Sequence, residues 1–463
     1  MHVRSLFVRS IVLLLPFAFS PPPAAGALPG PAGAGLQADA AGAADPVAPA
    51  GADSALAAVD TMMAGGTEDY IQRVREAFTP ENRRYANTRM WLALLDPLYA
   101  VLVGLMVLFS GLAARMRDLA QKLTRFRYVH TLVFFVLYTA VVMVLTLPLS
   151  WYAGYALEHR YGLSNQTLPE WVIEQLKSAG VGVLFFGVIP LVWLAYRAIR
   201  TRRHWWAWLG AGTLPVIVFA VLIQPVVIDP MFNEFKPLED KVLEARVLAL
   251  AEKTGIPGRN VYQVDKSEQT NKLNAYVNGF GVSQRVVFWD TIIAAMDHDE
   301  LAFVAGHEMG HYVLGHVWKT LAFLALLSFL LFFLTAKSMT WLIGRFGARW
   351  RFTEAHDLAS LPLFAMLIAV FGFFVQPAIN AFSRYQERQA DMYALEVTHM
   401  NDAGARAFLE LGAQNRANPE PSALQTWLLS THPPLVERVR FMQSYRPWEE
   451  GEPNRLFEER PEN

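Results

Sequence analysis

The residues of this chain best placed to do chemistry are His307-Glu308-Met309-Gly310-His311. Two histidines four apart on a helix stand one turn above each other, so both imidazoles can reach one metal ion. Glu308, beside the first, is placed to take a proton from water activated by that ion rather than to bind the ion itself. The pattern therefore predicts hydrolysis at a metal centre. None of the 463 residues is cysteine, which excludes disulfides, thiol catalysis and cysteine-ligated zinc. Any zinc must be held by histidine and carboxylate.

An open zinc site needs a third protein ligand and leaves one position for water. His316 is the nearest candidate, but on a continuous helix it lies about 900° around from His307 at 100° per residue and points elsewhere. It reads as a structural residue or one at the mouth of the site. The HExxHxxGxxH pattern also fails, with Leu314 where its glycine belongs and Val317 where its histidine belongs. Downstream, Glu387 and Asp391 are four apart and share a helical face just beyond an apolar run. Glu387 could be the third ligand, and Asp391 could accept a hydrogen bond from the far nitrogen of a ligand histidine. The alternative is a solvated surface paired with Arg384 and Arg388.

These residues must be positioned by a chain that is 53% hydrophobic and only 17% charged, with a net charge of −1. The apolar residues fall in long runs, so the chain is polytopic in a lipid bilayer, and no basic domain points to nucleic acid. Six spans are expected: Trp91–Ala114, Tyr128–Trp151, Val181–Tyr196, Trp205–Val227, Thr320–Ile343 and Leu358–Phe382. Pro97, Pro190 and Pro215 are expected to kink helices rather than end them. Asp96 reads as an interfacial residue. Between the fourth and fifth spans, residues 229–319 form the sizeable polar region. A helix is expected over Leu238–Lys253 and strands over Val261–Asp265, Ala275–Val277 and Arg285–Trp289. Asp297 with Glu300 forms a capping box for the helix that carries the HExxH stretch.

Residues 1–27 read as an export signal or a first membrane helix, and 28–66 as a disordered Ala/Gly/Pro linker. Asp69–Arg89 is expected to lie at the membrane surface. Arginines and lysines crowd the connections between spans one and two, three and four, and five and six. The positive-inside rule makes that face cytoplasmic and puts the HExxH helix on the exported face, as expected in a bacterial-type inner membrane.

Six ordered motifs carry a resemblance: E-H-R-Y-G-L-S-N-Q-T from Glu158, P-M-F-N-E-F-K-P-L from Pro230, N-A-Y-V-N-G-F from Asn274, G-H-E-M-G-H from Gly306, S-R-x-x-E-x-x-A-D from Ser383, and S-T-H-P-P-L-V-E-R from Ser430. In order and spacing the chain resembles the CAAX prenyl endoproteases, integral-membrane zinc metallopeptidases, from Glu158 to about Met442. The resemblance implies one Zn2+ per chain held by His307, His311 and Glu387, with Glu308 as general base. It implies that His432 and Arg438 face the site, where either could stabilise an oxyanion. It also implies that Asn274, Ala275, Tyr276, Val277, Asn278 and Gly279 form an edge strand on which a peptide or protein substrate lies as an added β-strand. The implied fold is a mainly α membrane protein, a ring of six to seven transmembrane helices with a zincin-like α+β domain. Its divisions are 67–228 (surface helix and four spans), 229–319 (catalytic), 320–382 (two spans), 383–445 (third-ligand helix and the rest of the catalytic domain) and 446–463 (charged tail).

CAAX proteins are made in the cytosol, so an exported site favours an envelope or quality-control protease instead. A non-enzymatic zinc scaffold would have no use for Glu308. An intramembrane-cleaving protease would need a more apolar signature helix and an N-P-D-G stretch, which does not occur. Nothing in the sequence speaks to oligomeric state.

Overall fold

The structure is a computed structural model and describes residues 67–256, 260–279 and 284–458. The expected signal and linker lie outside these residues. Six helices are long and apolar enough to cross a membrane: Pro80–Phe109, Arg127–Arg160, Leu168–Val188, Trp205–Phe232, His316–Trp350 and Leu358–Thr398. Of the most apolar window of the sixth, 72% is buried inside the protein, against 17–28% for the other five. The sixth span is therefore the axis of the bundle, and the others turn much of their surface to lipid.

The third span differs from expectation. It starts at Leu168, where Thr167 and Glu170 form a capping box, and it stops before Pro190. Pro190 ends the span instead of kinking it, and Leu191–Thr201 forms a separate short helix. The cap supplies partners for the free backbone N–H groups at the start, so the half-polar stretch from Leu168 is helical although its hydropathy is low. Pro97 and Pro215 do sit inside helices.

The polar region holds a four-stranded sheet: β1 (Phe235–Pro237), β2 (Asn260–Val264), β3 (Ala275–Asn278) and β4 (Arg285–Trp289), in the order β1-β2-β4-β3. β2 and β4 are parallel, and the other pairs are antiparallel. Among the described residues β3 is the last strand of the sheet. Its alternation is that of a half-buried strand, with Ala275 in the main core and Tyr276 packed with Val264 and Val287 on the other face. β1 is too short to show a period and was not legible in the sequence.

The signature helix, His298–Val313, begins at the expected capping box of Asp297 and Glu300. It lies against the polar end of the sixth span, Leu361–Thr398. Two small residues permit the approach. A Cβ on Gly306 would stand 3.1 Å from Thr398, and one on Gly310 would stand 3.0 Å from the Tyr393 ring. The core around this contact takes Phe303 and Met309 from the signature helix, Ala394 and Leu395 from the sixth span, and Val439 and Met442 from the C-terminal helix Leu435–Ser444. Helix Thr67–Ala77 contributes Tyr70, Ile71 and Val74 to the same core, so its apolar face packs on the polar domain.

Replacing Gly310 by Leu should force this helix pair apart, costing about 1–3 kcal/mol as overpacking does. The expected outcome is a lower thermal midpoint together with loss of bound metal. A variant with wild-type midpoint and metal content would show that the approach at Gly310 is not needed.

Candidate metal centre

The signature helix presents His307 and His311, and the sixth span presents Glu387 from its polar end. All three are buried. The Nε2 atoms of the two histidines are 3.2 Å apart, His307 Nε2 is 3.4 Å from Glu387 Oε2, and His311 Nε2 is 3.3 Å from Glu387 Oε1. Ligand atoms placed about 2.1 Å from a tetrahedral ion are separated by about 3.4 Å. Three donors converge at that spacing and form the candidate metal group among the described residues. Glu387 Oε2 is buried and makes no hydrogen bond among the described residues, with Arg438 Nη2 at 3.6 Å and His307 Nε2 at 3.4 Å, so a metal ion would complete its coordination. The residues fit a divalent metal with a taste for imidazole and carboxylate.

A surrounding layer of side chains holds these three. Asp391, one turn beyond Glu387, places Oδ1 2.9 Å from His307 Nδ1. This is the expected contact, and it leaves Nε2 to face the metal position. Arg438 grips Asp391 with two hydrogen bonds, Nε to Oδ2 at 2.9 Å and Nη2 to Oδ1 at 2.5 Å. Its guanidinium also stacks 3.8 Å over the Phe408 ring centroid. Burial pushes the His307 imidazole down, but Asp391 and Glu387 outweigh it and hold it up at about 9. A proton therefore competes with a metal for His307.

His316 lies outside the converging His-His-Glu group, but by a different geometry from the one the sequence suggests. The signature helix stops at Leu314, and Gly315 takes a positive φ of 64°. A new helix, the fifth span, starts at His316, so angles drawn along one continuous helix do not apply. The turn swings the buried His316 ring back until its Nδ1 is 2.8 Å from His311 Nδ1, with Nε2 3.2 Å from Gln389 Oε1. His316 thus contacts the far ring nitrogen of His311, as Asp391 contacts that of His307. Gln386 bonds the His316 carbonyl from the same span. The Leu314-Gly315 stop was the available signal for this role.

His432 and Arg438 both reach the site. His432 Nε2 lies 3.5 Å from Glu387 Oε1 and is buried without a hydrogen bond among the described residues, while Nδ1 lies 2.9 Å from the Thr431 hydroxyl. Glu308 is buried beside His307. The stretch Asn274–Gly279 flanks the signature helix through β3, with the Asn274 carbonyl accepting from Trp289 N at 3.0 Å and Gly279 in a positive-φ turn.

Six apolar spans, a small sheet and a buried His-His-Glu group on an HExxH helix define an integral-membrane metallopeptidase. The chain belongs to peptidase family M48. That family matches residues 237–446, and the region described as CAAX prenyl protease N-terminal, five membrane helices, matches residues 70–234. The uncharacterized metalloprotease YhfN of Bacillus subtilis (strain 168) is 35% identical over 359 residues, covering 77% of this chain and 83% of that protein. CAAX prenyl protease 1 of Saccharomyces cerevisiae is 27% identical over 384 residues, covering 78% and 84%. The crystal structure of S. mikatae Ste24p superposes with a TM-score of 0.69 at 25% identity, covering 79% of this chain and 88% of that one.

Asp391→Asn keeps the side-chain shape and removes the charge. Metal should bind 10–100-fold more weakly by chelator competition, about the usual cost of losing such a partner. Since a proton must leave His307 first, wild-type affinity in the same assay should rise from about pH 6 to about pH 8. An affinity that is flat with pH, or unchanged in the variant, would refute this account of His307.

Proposed function

We propose that this chain is a zinc-dependent endopeptidase in which His307, His311 and Glu387 hold one Zn2+ and Glu308 is the general base. The observation that carries the proposal is the convergence of the three donor atoms at tetrahedral spacing around a buried, unsatisfied Glu387 oxygen. Zinc bound there would polarise the scissile carbonyl and acidify a water. Glu308 accepts the proton of that water and delivers it to the leaving amine. His432 serves the oxyanion: in the tautomer in which Nδ1 accepts from the Thr431 hydroxyl, 2.9 Å away, Nε2 carries the proton and can donate. Arg438 has Nε and Nη2 committed to Asp391, so its role is to hold that carboxylate, and through it His307, in place.

A peptide substrate adds along β3 as a further strand over Asn274, Ala275, Tyr276, Val277, Asn278 and Gly279. Support comes from β3's place at the end of the sheet, next to the signature helix. The catalytic unit then combines residues 229–319 and 383–445 across two intervening spans.

The active site faces the exported side of a bacterial-type inner membrane. The basic connections support this, because they gather at the end of the bundle away from the metal group: Arg117 pairs with Asp357, and Arg351 with Asp118. This placement favours segments of envelope proteins as substrates. A second reading, processing of prenylated CAAX proteins, draws on the name of the yeast relative and would need a cytosolic site.

Glu308→Gln should bind zinc as wild type does and lose about 10²-fold or more of its peptide hydrolysis, as expected when a general base is removed. Near-normal turnover would sink the assignment. The absence of cysteine gives a clean test of orientation. A single cysteine replacing the exposed Glu268 should react with an impermeant maleimide in intact cells, and one replacing the exposed Arg203 should not. The reverse pattern would return the CAAX reading to first place.

A further inference from the structure

At the far end of the bundle, the first turn of the second span, the short helix Leu191–Thr201 and the turn between the fifth and sixth spans enclose a cavity of about 1000 Å³. His316 and Arg351 bracket the fifth span, and 35 residues at 1.5 Å each put the cavity about 50 Å from the metal centre. It belongs to the opposite membrane face.

The charges on its wall are unbalanced. Arg127, Arg197 and Arg200 line it, and none of the three guanidiniums makes a hydrogen bond or ion pair among the described residues. The carboxylates nearby do not compensate them. Asp357 is taken by Arg117, at 2.5 Å, and caps the backbone of Ala359. Glu354 is 3.9 Å from His356 and its side chain is 68% exposed. Arg351, also on the wall, is paired with Asp118. Arg197 and Arg200 are three apart on one helix, so they share a face. The second span also turns its N-terminus here: Arg127, His130 and Thr131 of its first turns line the cavity, and no side chain caps it. Uncapped N–H groups and the positive end of the helix dipole add to the guanidiniums.

The rim is apolar. Phe126 is 76% exposed, and Val129 and Leu194 are also exposed beside the cationic wall. A ligand matching both features carries a phosphate and an acyl chain. We propose that this cavity binds a phosphate-bearing anion, met in the bilayer as the headgroup of an acidic phospholipid, with Arg127, Arg197 and Arg200 as its phosphate partners. Guanidiniums suit this task because their donors match phosphate oxygens in pairs.

The test uses the full-length protein in phosphatidylcholine nanodiscs containing a minority of phosphatidylglycerol, with co-purifying lipid counted by native mass spectrometry. Wild type should retain phosphatidylglycerol, and R197Q/R200Q should retain about 100-fold less, at about tenfold for each charge-assisted hydrogen bond to the phosphate lost. R197K/R200K should recover part of the binding, which separates lost charge from lost fold. R345Q/R349Q, at the same end of the fifth span but off the cavity wall, should bind as wild type does. Equal retention by R197Q/R200Q, or an equal loss in R345Q/R349Q, would overturn the site. In detergent, phosphatidylglycerol should raise the thermal midpoint of wild type and inorganic phosphate should not. An equal rise with inorganic phosphate would overturn the lipid assignment in favour of a soluble phosphate.

Discussion

Two carboxylates, Glu387 and Asp391, lie buried one turn apart on the same face of a membrane helix. An uncompensated buried charge costs several kcal/mol, and two on one face also repel each other. The structure answers with cations and donors from elsewhere in the chain. Arg438 comes from the C-terminal helix, and His307 and His311 come from the polar domain. A divalent metal at the proposed site would add the remaining positive charge. The requirement to neutralise this pair draws three distant stretches of sequence to one point, and it accounts for the docking of the signature helix on the sixth span.

That docking has a steric condition. A helix carrying two ligands can approach a helix carrying the third only if the facing side chains are small, and Gly306 and Gly310 meet that condition. They interleave with His307 and His311, so the residues that bind and the residues that allow contact alternate along one helix. The core beneath the site is shared among the signature helix, the sixth span and the C-terminal helix. Ion pairs and apolar packing therefore stabilise the same interface, and a metal held by the proposed ligands would stabilise it further.

How much of this is legible in sequence depends on the range of the interaction. His307, Glu308 and His311 follow from helical spacing alone, as does the Asp297–Glu300 cap, because both are local. Glu387 and Asp391 are recognisable as a pair on one face, but spacing cannot tell a ligand pair from a solvated one. That difference is a matter of what packs against them. His316 shows the limit most clearly. Extrapolating the helix past Gly315 gives the wrong direction for its ring, because one residue with positive φ redirects everything after it. The third span fails for a related reason. Hydropathy locates the apolar centre, whereas the helix boundaries are set by the Thr167 cap and the Pro190 stop, which are hydrogen-bonding and steric features. Tyr70, Ile71 and Val74 could not be placed at all, since a short amphipathic helix buries its apolar face equally well on lipid or on protein.

The edge strand and the metal ligands are anchored to different spans, and this sets how substrate and metal meet. Lys272, two residues before the strand, is buried and paired at 2.5 Å with Glu158 at the end of the second span. Tyr85 donates to the same carboxylate at 2.9 Å, and Asn415 holds Leu273 from both sides of its peptide. The strand that would position a peptide is thus fixed to the first and second spans. Glu387, by contrast, is rigidly part of the sixth. The first and sixth spans pack together along their length, with Gly104 against Met366 at a would-be Cβ distance of 3.1 Å. The distance from strand to metal group is set directly by the packing of β3 on the signature helix, with Ala275 in the same core as Met309 and Ala394, and the packing of those spans supports it from within the membrane. A membrane-embedded scaffold is then part of the geometry of the site and more than an anchor.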